Sequence, residues 1–207
     1  MPGAAPMKFP SKLLPAVCIA ISSCFPLAAY ADAPHLECGT EALLDEGACV
    51  LSLFDIDVVV SSSGMSSLNT VAVRMGDAQA KVTEEVDGIA YLAEIADINA
   101  DQRPEVFVYV SSAGSGSYGS LLAYVVEEDM SLSPVTLPDL GQSPEASTGY
   151  MGHDEFRVVE TSVVRRFPLY QTGDVNAEPT GGHRNVAYKL VRADEGWALA
   201  VDNIGDY

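Results

Sequence analysis

Residues 105–127, EVFVYVSSAGSGSYGSLLAYVVE, constrain the fold more than any other stretch of the chain. Two apolar runs flank a segment made almost wholly of glycine and serine. Successive side chains of an extended strand point to opposite faces, so Val106, Val108 and Val110 share one face while Phe107, Tyr109 and Ser111 share the other. Both faces are largely apolar, the pattern of a strand covered on both sides, as inside a sandwich. Residues 121–126 read the same way. The intervening residues 113–119 outrun the roughly two to five residues that a hairpin needs, and long loops in compact domains are often functional. This loop is predicted to protrude. At its centre Tyr118 has Ser117 and Gly119 as neighbours, with no apolar side chain nearby in sequence to shelter its ring. Tyrosine brings a large rigid ring and a hydroxyl at small rotamer cost and is common among residues that dominate binding. Two readings stand: Tyr118 is a contact residue, or it folds back onto the sheet as packing.

The chain begins like an export signal. Lys8 and Lys12 precede an apolar run over residues 13–29, and Ala29, Tyr30 and Ala31 have the small-x-small form of a signal peptidase site. Pro15 and Pro26 interrupt the run, which is too short and broken for a spanning helix. The expected organisation is a signal peptide over residues 1–31 and a single β-sandwich domain over residues 32–207, in the periplasm or secreted, with no membrane insertion. Residues 21–24, ISSC, also fit a lipobox loosely, in which Cys24 would be acylated. The apolar residues 25–29 that follow argue against it, because a lipid-anchored chain is expected to start with a polar tether.

Charge narrows the partners. The sequence carries 29 acidic and 11 basic residues, and both basic residues of the first 31 are lysines with no acid beside them, so the remaining 176 residues have a net charge of −20. Such a surface repels nucleic acid and anionic lipid and favours cationic partners, with electrostatics speeding encounter more than setting affinity. Cys38 and Cys49 are the only cysteines after residue 31, and in an oxidising compartment they are expected to be bridged. Their spacing is not CxxC and no histidine cluster accompanies them, so the bridge is read as structural.

From residue 50 onward short β-type runs alternate with turn signals: residues 50–54, 57–61, 70–75, 80–84 and 89–98, then 157–164, 185–192 and 197–201. Asp87 and Gly88 read as a tight hairpin turn. The fold class is all-β, an antiparallel sandwich of roughly eight strands.

The residue pattern bears on several chemistries. Asp97, Asn99, Asp101 and Glu105 stand at positions 1, 3, 5 and 9 of a calcium-type loop, but position 6 is Gln102 where glycine is needed and no bidentate Glu follows at position 12. The competing reading is a turn whose Asx side chains bond their own backbone. Ser115, Gly116, Ser117, Tyr118 and Gly119 fall one glycine short of GxSxG, and strand-like sequence follows on both sides where a hydrolase elbow needs a helix. His35, His153 and His183 are scattered, without a paired-His spacing, and no phosphate loop or cofactor motif is present. The chain is therefore read as a non-enzyme without cofactor.

Taken jointly and in order, VYVSSAGSGSYGSLLAY, GYMGHDEF from Gly149, RRFPLY from Arg165, GDVNAEPTGGHRNVAYKL from Gly173 and GW at Gly196 resemble the periplasmic inhibitors of invertebrate-type (i-type) lysozyme. The motifs span residues 97–201, and residues 32–90 carry no matching motif. The resemblance implies a β-sandwich, often a homodimer, whose Gly/Ser loop enters the cleft of a cationic lysozyme and blocks it, protecting peptidoglycan. The family's functional Ser and Tyr fall on Ser115 and Tyr118, with Gly114, Gly116, Ser117 and Gly119 completing the loop. The alternative is an envelope binding module, calcium-dependent or general, without inhibitory activity.

Overall fold

The computed structural model describes residues 36–76 and 80–207; the predicted signal segment and His35 lie outside them. Thirteen strands are found among the described residues: β1 Glu37–Gly39, β2 Val50–Leu53, β3 Ile56–Ser62, β4 Leu68–Met75, β5 Lys81–Asp87, β6 Ile89–Ala96, β7 Glu105–Ser111, β8 Gly119–Val126, β9 Leu132–Thr136, β10 Glu155–Val159, β11 Ser162–Pro168, β12 His183–Ala193 and β13 Gly196–Asp206. Among the described residues helix is confined to the short α1 (Thr40–Leu44) and α2 (Pro144–Ser147) and one 3-10 turn at Leu140–Gln142. The all-β reading holds, with more strands than the roughly eight expected.

The strands form two sheets, a four-stranded one in the order β2-β3-β4-β5 and a nine-stranded one in the order β1-β6-β7-β8-β9-β13-β12-β11-β10. Pairing is antiparallel except between β13 and β9, which meet in parallel through Trp197 opposite Val135 and Ala198 opposite Thr136. The large sheet curls until its two ends meet. Arg157 on β10 donates to Glu37 of β1 at 2.8 Å and to Glu94 of β6 at 2.7 Å, while the Val158 N–H donates to Glu94 at 2.9 Å. These side-chain bonds join strand edges that would otherwise be open to foreign strands.

β7 is the partition of the molecule. Its residues 105–110 are all buried. Val106, Val108 and Val110 pack with Val58, Val60, Val71, Val73 and Met75 of the small sheet in one core. Phe107 and Tyr109 face the other way, into a second core with Phe156, Val163, Phe167, Val186, Tyr188 and Leu199 inside the curl. The alternation read from the sequence is therefore the alternation that divides the two cores. Cys38 and Cys49 are bridged, with Cα atoms 5.7 Å apart, and the link closes the segment holding α1 against the first core.

Two local expectations are corrected. Asp87 and Gly88 do not turn a hairpin: β5 pairs with β4, whereas β6 pairs with β1 and β7, so the pair carries the chain from the small sheet to the large one. Residues 157–164 are not one strand but the meeting of β10 and β11, which pair from Val159 opposite Ser162 around a two-residue turn. Glu160 takes that turn with a φ of 55°, without the Asn or Gly that usually announces it.

Candidate functional site

The β7–β8 hairpin closes at Ser111 opposite Gly119 and leaves residues 112–118 as its loop. Polar backbone in so long a loop must find partners, and here they come both from the loop itself and from remote parts of the chain. Within the loop, Ser117 N–H donates to the Gly114 carbonyl at 2.9 Å, and Ser112 and Tyr118 bond each other through Ser112 N–H to Tyr118 O and Tyr118 N–H to Ser112 Oγ, both at 2.9 Å. From outside, His153 N–H donates to Gly116 O at 2.7 Å and Asn176 Nδ2 donates to Ser115 O at 2.7 Å. The bond to Ser115 uses its carbonyl and not its hydroxyl. Ala113, Gly114, Ser115 and Tyr118 are exposed.

The base of the loop rests on a buried ion pair. Gly119 N–H donates to Asp154 Oδ2 at 2.8 Å, the Tyr150 hydroxyl donates to the same oxygen at 2.6 Å, and Arg165 Nε donates to Asp154 Oδ1 at 2.6 Å. Arg165 also donates to the Tyr150 hydroxyl at 2.8 Å, and its guanidinium lies 4.9 Å from the centre of the Tyr150 ring. Burial works against charge on Arg165, but the hydrogen bond and charge of Asp154 more than offset it and hold the group above its ordinary pKa. Burial, reinforced by Asp154, likewise raises the Tyr150 phenol, which stays a donor.

Tyr118 is half exposed, at 50%. Its ring meets Tyr150 edge-on at 5.8 Å, and Tyr150 in turn meets Phe167 at 4.8 Å. Neither sequence reading alone describes it, since one edge is sheltered by a residue 32 positions away while the rest faces solvent. The close fit explains two glycines. A Cβ on Gly116 would lie 3.0 Å from Tyr118 Cδ2, and closer still to Cε2, and a Cβ on Gly152, which has a φ of +101°, would collide with the Gly116 carbonyl. Beside the ring an open cleft of about 700 Å³ is lined by Leu121, Leu137, Leu140 and Tyr150 among others.

The other sequence candidates resolve differently. Asp97 accepts from the N–H groups of Asp101 and Gln102, Asn99 accepts from Asp101 N–H, and Asp101 accepts from Arg103 N–H and pairs with the Arg103 guanidinium at 3.1 Å. Glu105 lies fully buried beneath, taking Ile98 N–H at 2.8 Å, and burial pushes its carboxyl up to about 8. Among the described residues no three Asp, Glu, His or Cys side chains are arranged to hold a metal ion. His153 bonds Asn176 Oδ1 at 3.3 Å and not Ser115 or Ser117. His183 stacks on Tyr207 at 5.8 Å.

Sequence reasoning did not single out Tyr150, Asp154, Arg165 or Asn176 as supports for the loop. Their one signal was position, since each lies in a motif quoted for the resemblance. Among the described residues no helix is long and apolar enough to cross a membrane.

No curated protein and no solved structure matches this chain. A family model does match: that of PliI, the periplasmic lysozyme inhibitor of I-type lysozyme, over residues 54–139. The match takes in β3 to β9 and the whole Gly/Ser loop, and it reaches into residues 54–90, where the motifs gave no likeness. The supporting residues Tyr150, Asp154, Arg165 and Asn176 lie beyond it. Of the stretches on which the resemblance to the periplasmic inhibitors of i-type lysozyme was drawn, the match takes in the one that holds the Gly/Ser loop, while those from Gly149 onward lie beyond it.

Proposed function

We propose that this protein is a periplasmic inhibitor of an i-type lysozyme, blocking the enzyme by inserting the loop of Ser115 and Tyr118 into the active-site cleft and so protecting peptidoglycan. It performs no chemistry of its own. The family match supports the general function, since the loop lies within the matched residues. The observation that carries the mechanism is the loop's construction: exposed Ser115 and a half-exposed Tyr118 stand on a base fixed by the buried Asp154–Arg165 pair. A surface ordered before binding loses less conformational freedom on association, which is how a small loop reaches useful affinity. Glycines at 114 and 116 let backbone approach the cleft wall, the serine hydroxyl can donate to a cleft carboxylate, and the ring supplies apolar area. The acidity of the chain suits a cationic enzyme.

The test is inhibition of i-type, chicken-type and goose-type lysozymes by the purified protein in a cell-wall lysis assay. Inhibition of the i-type enzyme at stoichiometric inhibitor, with little effect on the other two, is the expected result. Failure to inhibit the i-type enzyme would overturn the reading.

A further inference from the structure

The Gly/Ser loop is not the only apolar element exposed at this end of the molecule. Met151 is 42% exposed and Val175 is 58% exposed, on two segments hydrogen-bonded to the loop. Asn176 ties all three together. Its Nδ2 donates to Ser115 O at 2.7 Å, its Oδ1 lies 3.3 Å from His153 Nε2, and its own carbonyl accepts from the Tyr170 hydroxyl at 2.8 Å. Met151 lies two positions from His153 and Val175 one position from Asn176, so both exposed side chains sit on segments bonded directly to the loop.

The segment that carries Val175 is ordered from within. The Asp174 carboxylate accepts from Gln171 N–H at 2.7 Å, Thr180 N–H at 2.9 Å and the Thr180 hydroxyl at 2.9 Å, and these hydrogen bonds hold Asp174 below its ordinary pKa. Glu178 N–H closes a turn onto the Val175 carbonyl at 2.9 Å. Scattered apolar side chains are ordinary on a protein surface. Here the three stand on segments joined to one another by hydrogen bonds, so their positions are set before any partner arrives.

We propose that the docking surface comprises three segments, with Tyr118, Met151 and Val175 as its apolar contacts and Asn176 as the positioning residue that sets Ser115 relative to them. This rests on the reading of the protein as a lysozyme inhibitor. The occupant is the same cationic lysozyme: Tyr118 and Ser115 enter the cleft while Val175 and Met151 press on its lip. The exposed carboxylate of Glu178, three residues from Val175, places negative charge at the edge of that contact, where a cationic rim would meet it.

The experiment measures association and dissociation rates with an i-type lysozyme for the wild type, Tyr118→Ala, the double variant Met151→Ser/Val175→Ser, Asn176→Ala and a control, Leu68→Ser, whose side chain is 64% exposed on the four-stranded sheet. Melting temperatures are recorded for each. The double variant is expected to dissociate at least tenfold faster with its melting temperature unchanged, and Leu68→Ser to match the wild type. Asn176→Ala is expected to weaken binding several-fold, and to weaken it much less in a background already carrying Ser115→Ala, a coupling that a general structural role would not produce. If the double variant binds as the wild type does while Tyr118→Ala is impaired, the three-segment surface is wrong and the inhibitor reading stands. If the wild type itself does not bind, the inhibitor reading is lost, and this proposal with it.

Discussion

β7 carries a polar loop at each end, and the two are built on opposite plans. At its start, residues 97–104 satisfy themselves: the side chains of Asp97, Asn99 and Asp101 bond amides of their own loop, and Glu105 reaches back to Ile98. At its end, residues 112–118 add to their own bonds a brace from His153 and Asn176, with Asp154 holding Gly119 at the base, all more than 30 positions away, and Ser115 and Tyr118 are left exposed. A loop that spends its side chains on its own backbone has few left to offer a partner. One that borrows its support from elsewhere can present them. The contrast separates a self-bonded turn from a braced, outward-facing loop at the two ends of a single strand, and each of the following experiments presses on one side of it.

The largest effect is expected from the borrowed support. Asp154→Ala leaves Arg165 buried without its partner and frees the Gly119 amide; removing one member of a buried pair costs about 3–5 kcal/mol. Chemical denaturation should show a loss of that order, accompanied by weaker inhibition from the fraction that remains folded. A loss under about 1 kcal/mol, the range of exposed pairs, would mean that the pair does not support the loop.

Ser115→Ala is expected to leave unfolding unchanged, because Asn176 bonds the carbonyl and not the hydroxyl, and to weaken inhibition by about 1–3 kcal/mol if the hydroxyl meets a charged cleft carboxylate. Titration of the enzyme with each variant gives the number. Unaltered affinity would assign recognition to the ring and backbone alone.

The smallest effect on inhibition falls on the self-satisfied loop, whose contribution to stability depends on pH. Burial raises the Glu105 carboxyl from 4.5 to about 8. The folded protein thus holds a proton that the unfolded chain releases above pH about 4.5, so this group costs the wild type stability as pH rises from about 4.5 to about 8. Glu105→Gln keeps an oxygen for the Ile98 N–H and removes the titration. The variant should gain stability over the wild type at pH 8.5 relative to pH 5, read as a difference in melting temperature, with inhibition untouched. A variant equally destabilised at both pH values would show that the carboxylate is ionised and paired.

Strand β7 was legible in the sequence because the alternation of Val106, Val108 and Val110 with Phe107 and Tyr109 is a local property of an extended chain, and burial on both sides follows from it. The loop was legible as a Gly/Ser run between two strands, whereas Ser115 was named only through the family resemblance and Tyr118 was left between two readings. The turn at Glu160 was not legible, since a non-glycine residue there adopts a positive φ under the constraint of the flanking pairs. Nor was the sheet change at Asp87 and Gly88: a hairpin and a crossing to another sheet begin with the same two residues and differ only in what the next strand finds to pair with. Asp154 and Arg165 meet through the β10–β11 register, in which Phe156 stands opposite Arg165, and register is not written in either residue. Tyr118's partial shelter by Tyr150 depends on the same long-range closure.

The most direct test of the central claim, that the braced loop is the inhibitory element, is Tyr118→Ala assayed for both inhibition of an i-type lysozyme and thermal unfolding. Truncating a binding hot spot costs about 2 kcal/mol or more, roughly thirtyfold in affinity, whereas the lost edge contact with Tyr150 is worth about 0.5–1.5 kcal/mol of stability. The account predicts a variant that remains folded at assay temperature and inhibits at least thirtyfold more weakly. A variant with a markedly lower melting temperature and full inhibition would contradict it.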